Sequence, residues 1–148
     1  MKKIFVSMIL LTAILLGCSK SSANDNLNWE ENLETALQKA KTENKAVLVN
    51  FTGSDWCQWC IRLSDEVFSK SEFEEYAEDN LVLVRLDFPR SIEQSADTKA
   101  YNNQLAQRYG IQGFPTILLF NSQGKMVLQT GYQPGGPVSY INHLKSYL

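Results

Sequence analysis

Two cysteines separated by two residues follow an apolar segment, and this arrangement constrains the fold more than any other feature of the chain. The segment Ala46–Thr52 has the length and composition of a strand that is covered on both faces. The pattern after Cys60 is helical, so Cys57 is predicted to open a helix, where unpaired backbone N–H groups and the positive end of the helix dipole face its sulfur. Both effects favour the thiolate, which is the species that attacks disulfides. The pair therefore predicts thiol–disulfide exchange.

The cysteine count leaves three interpretations of this pair. The chain has one other cysteine, Cys18, so Cys57 and Cys60 form a functional dithiol, a structural bridge or half of a metal site. A bridge across two residues restricts little of the unfolded chain, because the stabilisation grows with loop length. A structural zinc site needs four protein ligands, and the chain has no second CxxC and a single histidine, His143, which is expected to have a surface or packing role. The functional dithiol is therefore favoured.

The first residues are predicted to be a targeting signal rather than part of the fold. Lys2 and Lys3 precede the apolar run from Ile4 to Leu16, which is shorter than the ~20 residues of a membrane-spanning helix. The run ends at Leu15-Leu16-Gly17-Cys18, which resembles the lipobox of bacterial lipoproteins. That resemblance implies a signal peptide over residues 1–17 and a lipid on Cys18. An ordinary cleaved signal peptide is the alternative.

The remaining sequence predicts a short tether and one domain. Residues 18–27 are rich in Ser, Asn and Asp and are predicted to be flexible. Residues 28–148 are enough for one domain with a core and too few for two. Loss of the leader changes the formal net charge from −2 to −4, because it removes two lysines and no acidic residue. No basic stripe remains that would bind nucleic acid.

The order of the predicted elements indicates an α/β fold, with a mixed central sheet and helices on both faces. Strand–helix–strand connections require parallel strand pairs, whereas a short final turn makes an antiparallel hairpin. In chain order the predicted elements are a helix beginning near Asn28, strand Ala46–Thr52, a helix after Cys60, a helix with a capping box at Ser71-Glu72-Phe73-Glu74, strand Leu81–Asp87, a helix ending at Gly110, strands Thr116–Phe120 and Lys125–Gly131, and a helix opened by Gly135-Gly136-Pro137.

This order and two motifs resemble the thioredoxin superfamily. The motifs are Trp56-Cys57-Gln58-Trp59-Cys60 after the first core strand and Gly113-Phe114-Pro115-Thr116 before the hairpin, and the resemblance covers residues 28–148. The stretch from Phe51 to Cys57, followed by Asp65-Glu66-Val67-Phe68, is similar to the exported thiol:disulfide interchange branch. An aromatic residue directly before the second cysteine is also similar to an exported reducing member of the superfamily.

The resemblance implies a role for each residue of these motifs. Cys57 would be the exposed nucleophile, and Cys60 would be the buried resolving thiol. Pro115 would be the cis-proline of the superfamily, facing the cysteines, and Phe114 would offer backbone groups to an extended substrate segment. Trp56 matches the active-site tryptophan and is expected at the rim where the substrate binds.

One position departs from the pattern of the superfamily. Cytosolic thioredoxins carry a buried aspartate in the first core strand, which relays a proton for the resolving cysteine, and the aligned residue here is Asn50, which cannot titrate. Arg85 aligns with the lysine that partners that aspartate. Asp55 lies nearer Cys57 along the chain. The sequence leaves open whether Asn50 or Asp55 replaces the usual carboxylate, or whether Asn50 only forms a local hydrogen bond.

The residues between the cysteines indicate reduction rather than oxidation. Strong oxidants of the superfamily often have a histidine directly before the second cysteine, which favours the thiolate electrostatically, whereas Trp59 carries no charge. We therefore expect a periplasmic, membrane-tethered thiol–disulfide oxidoreductase that reduces protein disulfides. Disulfide oxidation or isomerisation and copper delivery are the alternatives. Copper carriers of the superfamily usually separate their cysteines by three residues and add a histidine.

The resemblance also implies partners. The substrates would be disulfide-containing exported proteins, and the electron donor would be a transmembrane thiol reductase. The domain would need no bound organic cofactor and no metal. The lipid on Cys18 would hold the protein at the inner or the outer bacterial membrane, and a small domain with one open active face would act as a monomer.

Overall fold

A five-stranded mixed sheet organises the computed structural model, which describes residues 27–148. The predicted signal peptide 1–17, Cys18 and all but the last residue of the predicted tether 18–27 lie outside the described residues. The strands are β1 (Trp29–Glu30), β2 (Ala46–Thr52), β3 (Leu81–Asp87), β4 (Thr116–Phe120) and β5 (Met126–Thr130). The helices are α1 (Leu33–Glu43), α2 (Gln58–Leu63), the π-helical turn π1 (Ser64–Phe68), α3 (Ser71–Asn80), α4 (Ala96–Arg108) and α5 (Gly136–Lys145).

The sheet has the mixed pairing that the sequence predicts. Its strand order is β1-β3-β2-β4-β5, with β2 parallel to β3 and antiparallel to β4, and β4 forms an antiparallel hairpin with β5. In the described part of the chain, no helix combines the length and the apolar character needed to cross a membrane.

The central strand β2 separates two hydrophobic layers, because successive side chains of a strand point to opposite faces. Leu48 packs into a layer that includes Leu63 and Phe73 from the helices after the cysteines. Val49 and Phe51 pack into the other layer, which α1 and α4 cover. Every residue of β2 is buried, which confirms the prediction of a strand covered on both faces.

The segment that contains the cysteines lies at one edge of the sheet, together with segments next to β3 and β4, the two strands that pair with β2. The parallel strands β2 and β3 run to the same edge, and α2 begins a few residues after β2 ends at Thr52. The segment that follows β3 and the segment that precedes the antiparallel strand β4 reach this edge as well. The cysteines therefore lie where loops from three strands meet, as expected for open α/β sheets.

The predicted start of the first helix was wrong. The sequence placed it near Asn28, but Trp29 belongs to β1, which pairs with β3, and the helix begins four residues later at Leu33. Asn32 caps it, with Oδ1 accepting a hydrogen bond from the Thr35 N–H at 2.8 Å. The Trp29 ring packs edge-on against Phe68, with centroids 5.4 Å apart, so pairing and packing of β1 override the local helical pattern.

The start of α3 is correct, but its predicted capping box does not form. The Ser71 hydroxyl contacts the Glu72 carboxylate at 3.3 Å, and the N-cap residue is Lys70, which makes no side-chain cap hydrogen bond. Burial of Phe73 and Ala77 therefore holds this helix to the core. The predicted end of α4 is confirmed, since Gly110 follows its last turn with a φ of +61°, a conformation that glycine adopts without strain.

Candidate active site

Cys57 and Cys60 form a disulfide at the start of α2. Their Cα atoms are 5.2 Å apart, and Cys57 is the N-cap residue of the helix. The Cys60 N–H points to the Cys57 Sγ, with the nitrogen and sulfur 3.2 Å apart. When the disulfide opens, the same N–H group and the helix dipole would face a Cys57 thiolate and stabilise it.

The expected contrast in exposure between the two cysteines is wrong for this disulfide-bonded state. Cys57 is 6% exposed and Cys60 is 5% exposed, so both are buried. No pattern in the sequence indicated that Cys57 would be buried in the disulfide-bonded state. Neither sulfur-bearing residue is largely open to solvent in this state.

Trp56 is held beside the disulfide by contacts on several sides. Its indole Nε1 donates a hydrogen bond to the Phe88 carbonyl oxygen at 2.8 Å, and the Arg90 guanidinium lies 3.9 Å from its ring centroid. Its ring meets Phe114 edge-on, with centroids 5.9 Å apart. A Cβ atom on Gly53 would lie 2.5 Å from the indole ring, so glycine is required where the backbone passes under Trp56. These contacts fix the orientation of the tryptophan.

Asp55 fastens the loop that follows β3. Its carboxylate accepts hydrogen bonds from the Arg90 N–H at 2.9 Å and from the Ser91 N–H at 2.6 Å. These backbone hydrogen bonds lower the pKa of Asp55, because they stabilise the charged form. Asp55 thus positions Arg90 over Trp56, and it does not line the pocket that borders Cys60.

Phe114 and Pro115 stand next to this loop. The peptide bond between them is cis. Phe114 packs on Phe88, with ring centroids 5.0 Å apart, in addition to its contact with Trp56. The fold therefore brings together the three residues that the sequence proposed for substrate binding, although they come from two distant segments.

A second aromatic group lies on the other side of the disulfide. Trp59 is 54% exposed, and its ring centroid is 5.2 Å from that of Tyr132. The Arg62 guanidinium lies over both rings, 5.5 Å and 5.4 Å from their centroids. Sequence reasoning missed Tyr132, because it follows β5 and no local pattern links it to the cysteines.

Glu66 ties this aromatic group together. Its carboxylate accepts hydrogen bonds from the Tyr132 hydroxyl at 2.5 Å and from the Arg62 Nε at 2.6 Å. The tyrosine hydrogen bond, followed by that of the arginine, lowers the pKa of Glu66. The positive charge of Arg62 is therefore matched by a carboxylate beside the active site.

The comparisons with known proteins agree with this architecture. Residues 33–140 match the thioredoxin-like domain family. This chain belongs to the thioredoxin-like family.

Among its relatives in this family, the chain is similar to two proteins of Chlamydia pneumoniae. It is 33% identical to the disulfide bond reductase DsbH over 97% of this chain and 93% of that protein. It is 25% identical to the thioredoxin-related protein DsbJ, over 87% of this chain but 37% of that longer protein. A solved structure of the DsbH oxidoreductase superposes with a TM-score of 0.77 at 34% identity, covering 93% of this chain and 94% of that chain.

One longer relative matches over a single segment. The thiol:disulfide interchange protein DsbD of Photorhabdus laumondii is 31% identical over 68% of this chain and 15% of its own length. The C-terminal domain of Neisseria meningitidis DsbD in its oxidised form has a TM-score of 0.60 at 16% identity, which is a likeness of fold.

Next to the disulfide, this thioredoxin-like domain has a pocket of about 200 Å³ that both polar and apolar residues line. Asn50 on β2, Cys60 on α2, Ser64 and Asp65 on π1 and Arg85 on β3 are among its lining residues. Asn50 is 6% exposed, and its Oδ1 is a buried side-chain atom without a hydrogen-bond partner among the residues described. Sequence analysis included Asp65 in the motif Asp65-Glu66-Val67-Phe68 but gave it no role, and the structure places it on π1, five residues after Cys60.

The histidine and the acidic residues do not assemble a metal site in this domain. The His143 Nε2 lies 3.2 Å from the Thr130 hydroxyl, and its ring packs against Tyr140 and Tyr147 on α5. Over residues 27–148, no three His, Cys, Asp or Glu side chains are grouped so that they could hold a metal ion. His143 therefore has the packing role that the sequence predicted.

Proposed function

We propose that this protein is a thiol–disulfide oxidoreductase that reduces disulfide bonds in exported proteins. The observation that carries the proposal is the Cys57–Cys60 disulfide at the start of α2, in a chain that is similar to a disulfide bond reductase along nearly its whole length. A disulfide that caps a helix has the geometry for reversible opening, because the helix stabilises the thiolate that forms.

The reduction would proceed in two exchanges. The Cys57 thiolate attacks one sulfur of the substrate disulfide, forms a mixed disulfide and expels the other substrate sulfur as a thiolate. Cys60 then attacks the Cys57 sulfur, re-forms the bond between positions 57 and 60, and releases the second substrate thiol. Two electrons pass from the dithiol to the substrate.

We assign substrate binding to the surface formed by Trp56, Phe114 and Pro115. Trp56 is fixed by Phe88 and Arg90, so its indole is held in one orientation next to Cys57. An extended substrate segment that pairs with the backbone at Phe114 would bring its disulfide next to that cysteine. Rigid aromatic side chains suit this role because little conformational entropy is lost on binding.

The charges near the cysteines favour the reducing direction. An oxidant stabilises its dithiol form, which requires positive charge near the thiolate. Here Trp59 occupies the position before Cys60, and the Arg62 charge is matched by Glu66. His143 packs on α5 with Tyr140 rather than beside the cysteines.

We therefore expect a redox potential near that of thioredoxin, about −270 mV, rather than near that of a strong oxidant at about −120 mV. Equilibration of the protein with buffers of reduced and oxidised dithiothreitol, followed by thiol alkylation and mass measurement, gives this value. A potential above about −180 mV, in the range of isomerases, would contradict the reducing direction. The Glu66→Gln variant tests the charge argument, because an unmatched Arg62 should raise the potential.

We also propose that the protein acts outside the cytosol, held at a membrane by a lipid on Cys18. A reductase in an oxidising compartment has to be reduced again after each cycle, and we assign this step to a transmembrane thiol reductase. A tether to the same membrane would raise the effective concentration of the two partners.

Replacement of Cys18 by serine tests the anchor. We expect the Cys18→Ser variant to move from the membrane fraction to the soluble fraction, since a serine at this position cannot carry a thioether-linked lipid. The Ser21→Ala variant, altered in the same tether, should stay with the membranes. A Cys18→Ser protein that remains in carbonate-washed membranes would contradict lipid anchoring at this residue.

A further inference from the structure

The pocket next to the disulfide borders the buried Cys60 and contains several polar side chains. It has a volume of about 200 Å³, which is enough for several water molecules, and Cys60 forms part of its wall. The Asn50 amide lies in the same wall, 94% buried, since the residue is 6% exposed. Its Oδ1 lacks a hydrogen-bond partner among the described residues, and leaving such a buried atom unsatisfied is destabilising. A water molecule in the pocket would satisfy it.

In the second exchange of the proposed reaction, the Cys60 thiol has to lose its proton, and the pocket is the space into which that proton can pass. Cys60 attacks as a thiolate, but burial opposes ionisation of its thiol, so the proton has to leave as the attack begins. The pocket offers one acceptor with a suitable charge, the Asp65 carboxylate, which is exposed at the surface. Asn50 itself cannot accept the proton, because an amide does not titrate near neutral pH.

The charged groups near Cys60 lie on β3 and on the helical segment that follows the cysteines. Arg85 on β3 lines the pocket and offers hydrogen-bond donors but no acceptor, and Asp87 at the end of β3 accepts hydrogen bonds from the Ser54 N–H and hydroxyl. On the helical segment, Arg62 and Glu66 pair with each other. Asp65 is therefore the group lining the pocket that can exchange a proton with both Cys60 and solvent.

We propose that the pocket between Asn50 and Asp65 is the route by which the Cys60 proton reaches solvent. Asn50 is a positioning residue, whose Oδ1 holds a water molecule next to the Cys60 thiol. The thiol transfers its proton through this water to Asp65, and the Cys60 thiolate attacks the Cys57 sulfur. The new bond joins the two enzyme sulfurs, the bond to the substrate sulfur breaks, and the expelled substrate thiolate takes a proton from solvent.

This inference rests on the proposed function and is tested on the second exchange alone. The full chain is reduced and mixed with a disulfide-containing peptide, and release of peptide thiol from the mixed disulfide is followed in a single turnover across a range of pH. Asn50→Leu removes the oxygen at similar volume, and Asp65→Asn removes the titratable group at the surface. Asp79→Asn, an exposed change on α3, is the matched control for charge.

We expect Asn50→Leu to slow the second exchange about tenfold near neutral pH, less than the full effect of an acid–base group because other water can still reach the thiol. The deficit should shrink at alkaline pH, where hydroxide removes the proton directly. Asp65→Asn should slow the same step several-fold near neutral pH, and Asp79→Asn should not. Asn50→Asp should restore the rate with an altered pH profile, because a carboxylate at this buried site titrates.

Three results would overturn the inference. Asn50→Leu could match the unmodified protein near neutral pH, or it could be slower by one constant factor at every pH, as a packing defect would be. Asp65→Asn, which changes an exposed residue and should fold, could match Asp79→Asn. A further control uses Cys60→Ala, in which only the first exchange takes place. Neither Asn50→Leu nor Asp65→Asn should change the rate of the first exchange in this variant. Failure of the unmodified protein to reduce any disulfide would instead contradict the proposed function, and the route with it.

Discussion

The Cys57→Ser variant is expected to lose disulfide reductase activity by a factor of about 10³ or more, because a serine hydroxyl does not ionise near neutral pH and its oxygen does not form a stable bond to the substrate sulfur. The Cys60 N–H that points to the Cys57 Sγ would then face a neutral oxygen. The measurement is the reduction of insulin with dithiothreitol as electron donor, corrected for the rate without protein.

The control for this change is Cys18→Ser, which exchanges the same atom outside the described domain. Solubilised in detergent, this variant should reduce insulin as fast as the unmodified protein. Equal activity of Cys57→Ser and the unmodified protein would remove the basis for the proposed function. The thioredoxin-like fold would remain, because it follows from the strand order and from the similarity over residues 33–140.

The sequence predicted those elements whose own residues have a pattern typical of a strand or of the start of a helix. Ala46–Thr52 and Leu81–Asp87 are predominantly apolar segments of strand length, which suit strands with helices on both faces, and the structure has these bounds. The cysteine motif also predicted the start of α2. Cys57 is the N-cap residue of this helix, and its sulfur accepts a hydrogen bond from the Cys60 N–H. In these cases, the residues of the element itself were enough to predict it.

Other features depend on contacts between distant segments, so no local pattern could predict them. Trp29 lies in a strand because β3 provides a pairing edge, although the surrounding residues have helical spacing. The bond between Tyr132 and Glu66 joins the segment after β5 to the helix after the cysteines.

The sequence and the structure give different information about which residue takes the place of the usual carboxylate at position 50. The sequence identifies an amide where thioredoxins have a carboxylate, and it leaves Asp55 open as a replacement. The structure places Asp55 against the backbone of Arg90 and Ser91, where its role is to hold a loop. Asp65, to which the sequence analysis gave no role, lines the same pocket as Cys60.

The Cys60→Ala variant should accumulate its substrates as covalent complexes. The first exchange needs the Cys57 thiolate alone, so the mixed disulfide still forms, but the sulfur that would resolve it is missing. We expect turnover of insulin to fall about a hundredfold or more, while the mixed disulfide becomes the main species on non-reducing gels and in intact mass spectra. Reduction with excess dithiothreitol should release the trapped protein.

The Cys57→Ser variant is the matched control for trapping, and it should trap almost nothing. Equal trapping by the two variants would mean that Cys60 can act as the nucleophile, which would contradict the assigned order of the two exchanges. Performed in cells, the same experiment tests the partners. Complexes of Cys60→Ala with exported proteins are expected, because the Cys57 thiolate attacks their disulfides, and complexes with the oxidised form of a membrane thiol reductase are expected, because the same thiolate attacks its disulfide in the reverse of the donation step. If only a membrane reductase were trapped, the proposed reduction of exported proteins would be contradicted, because electrons would enter the domain without a protein substrate to receive them.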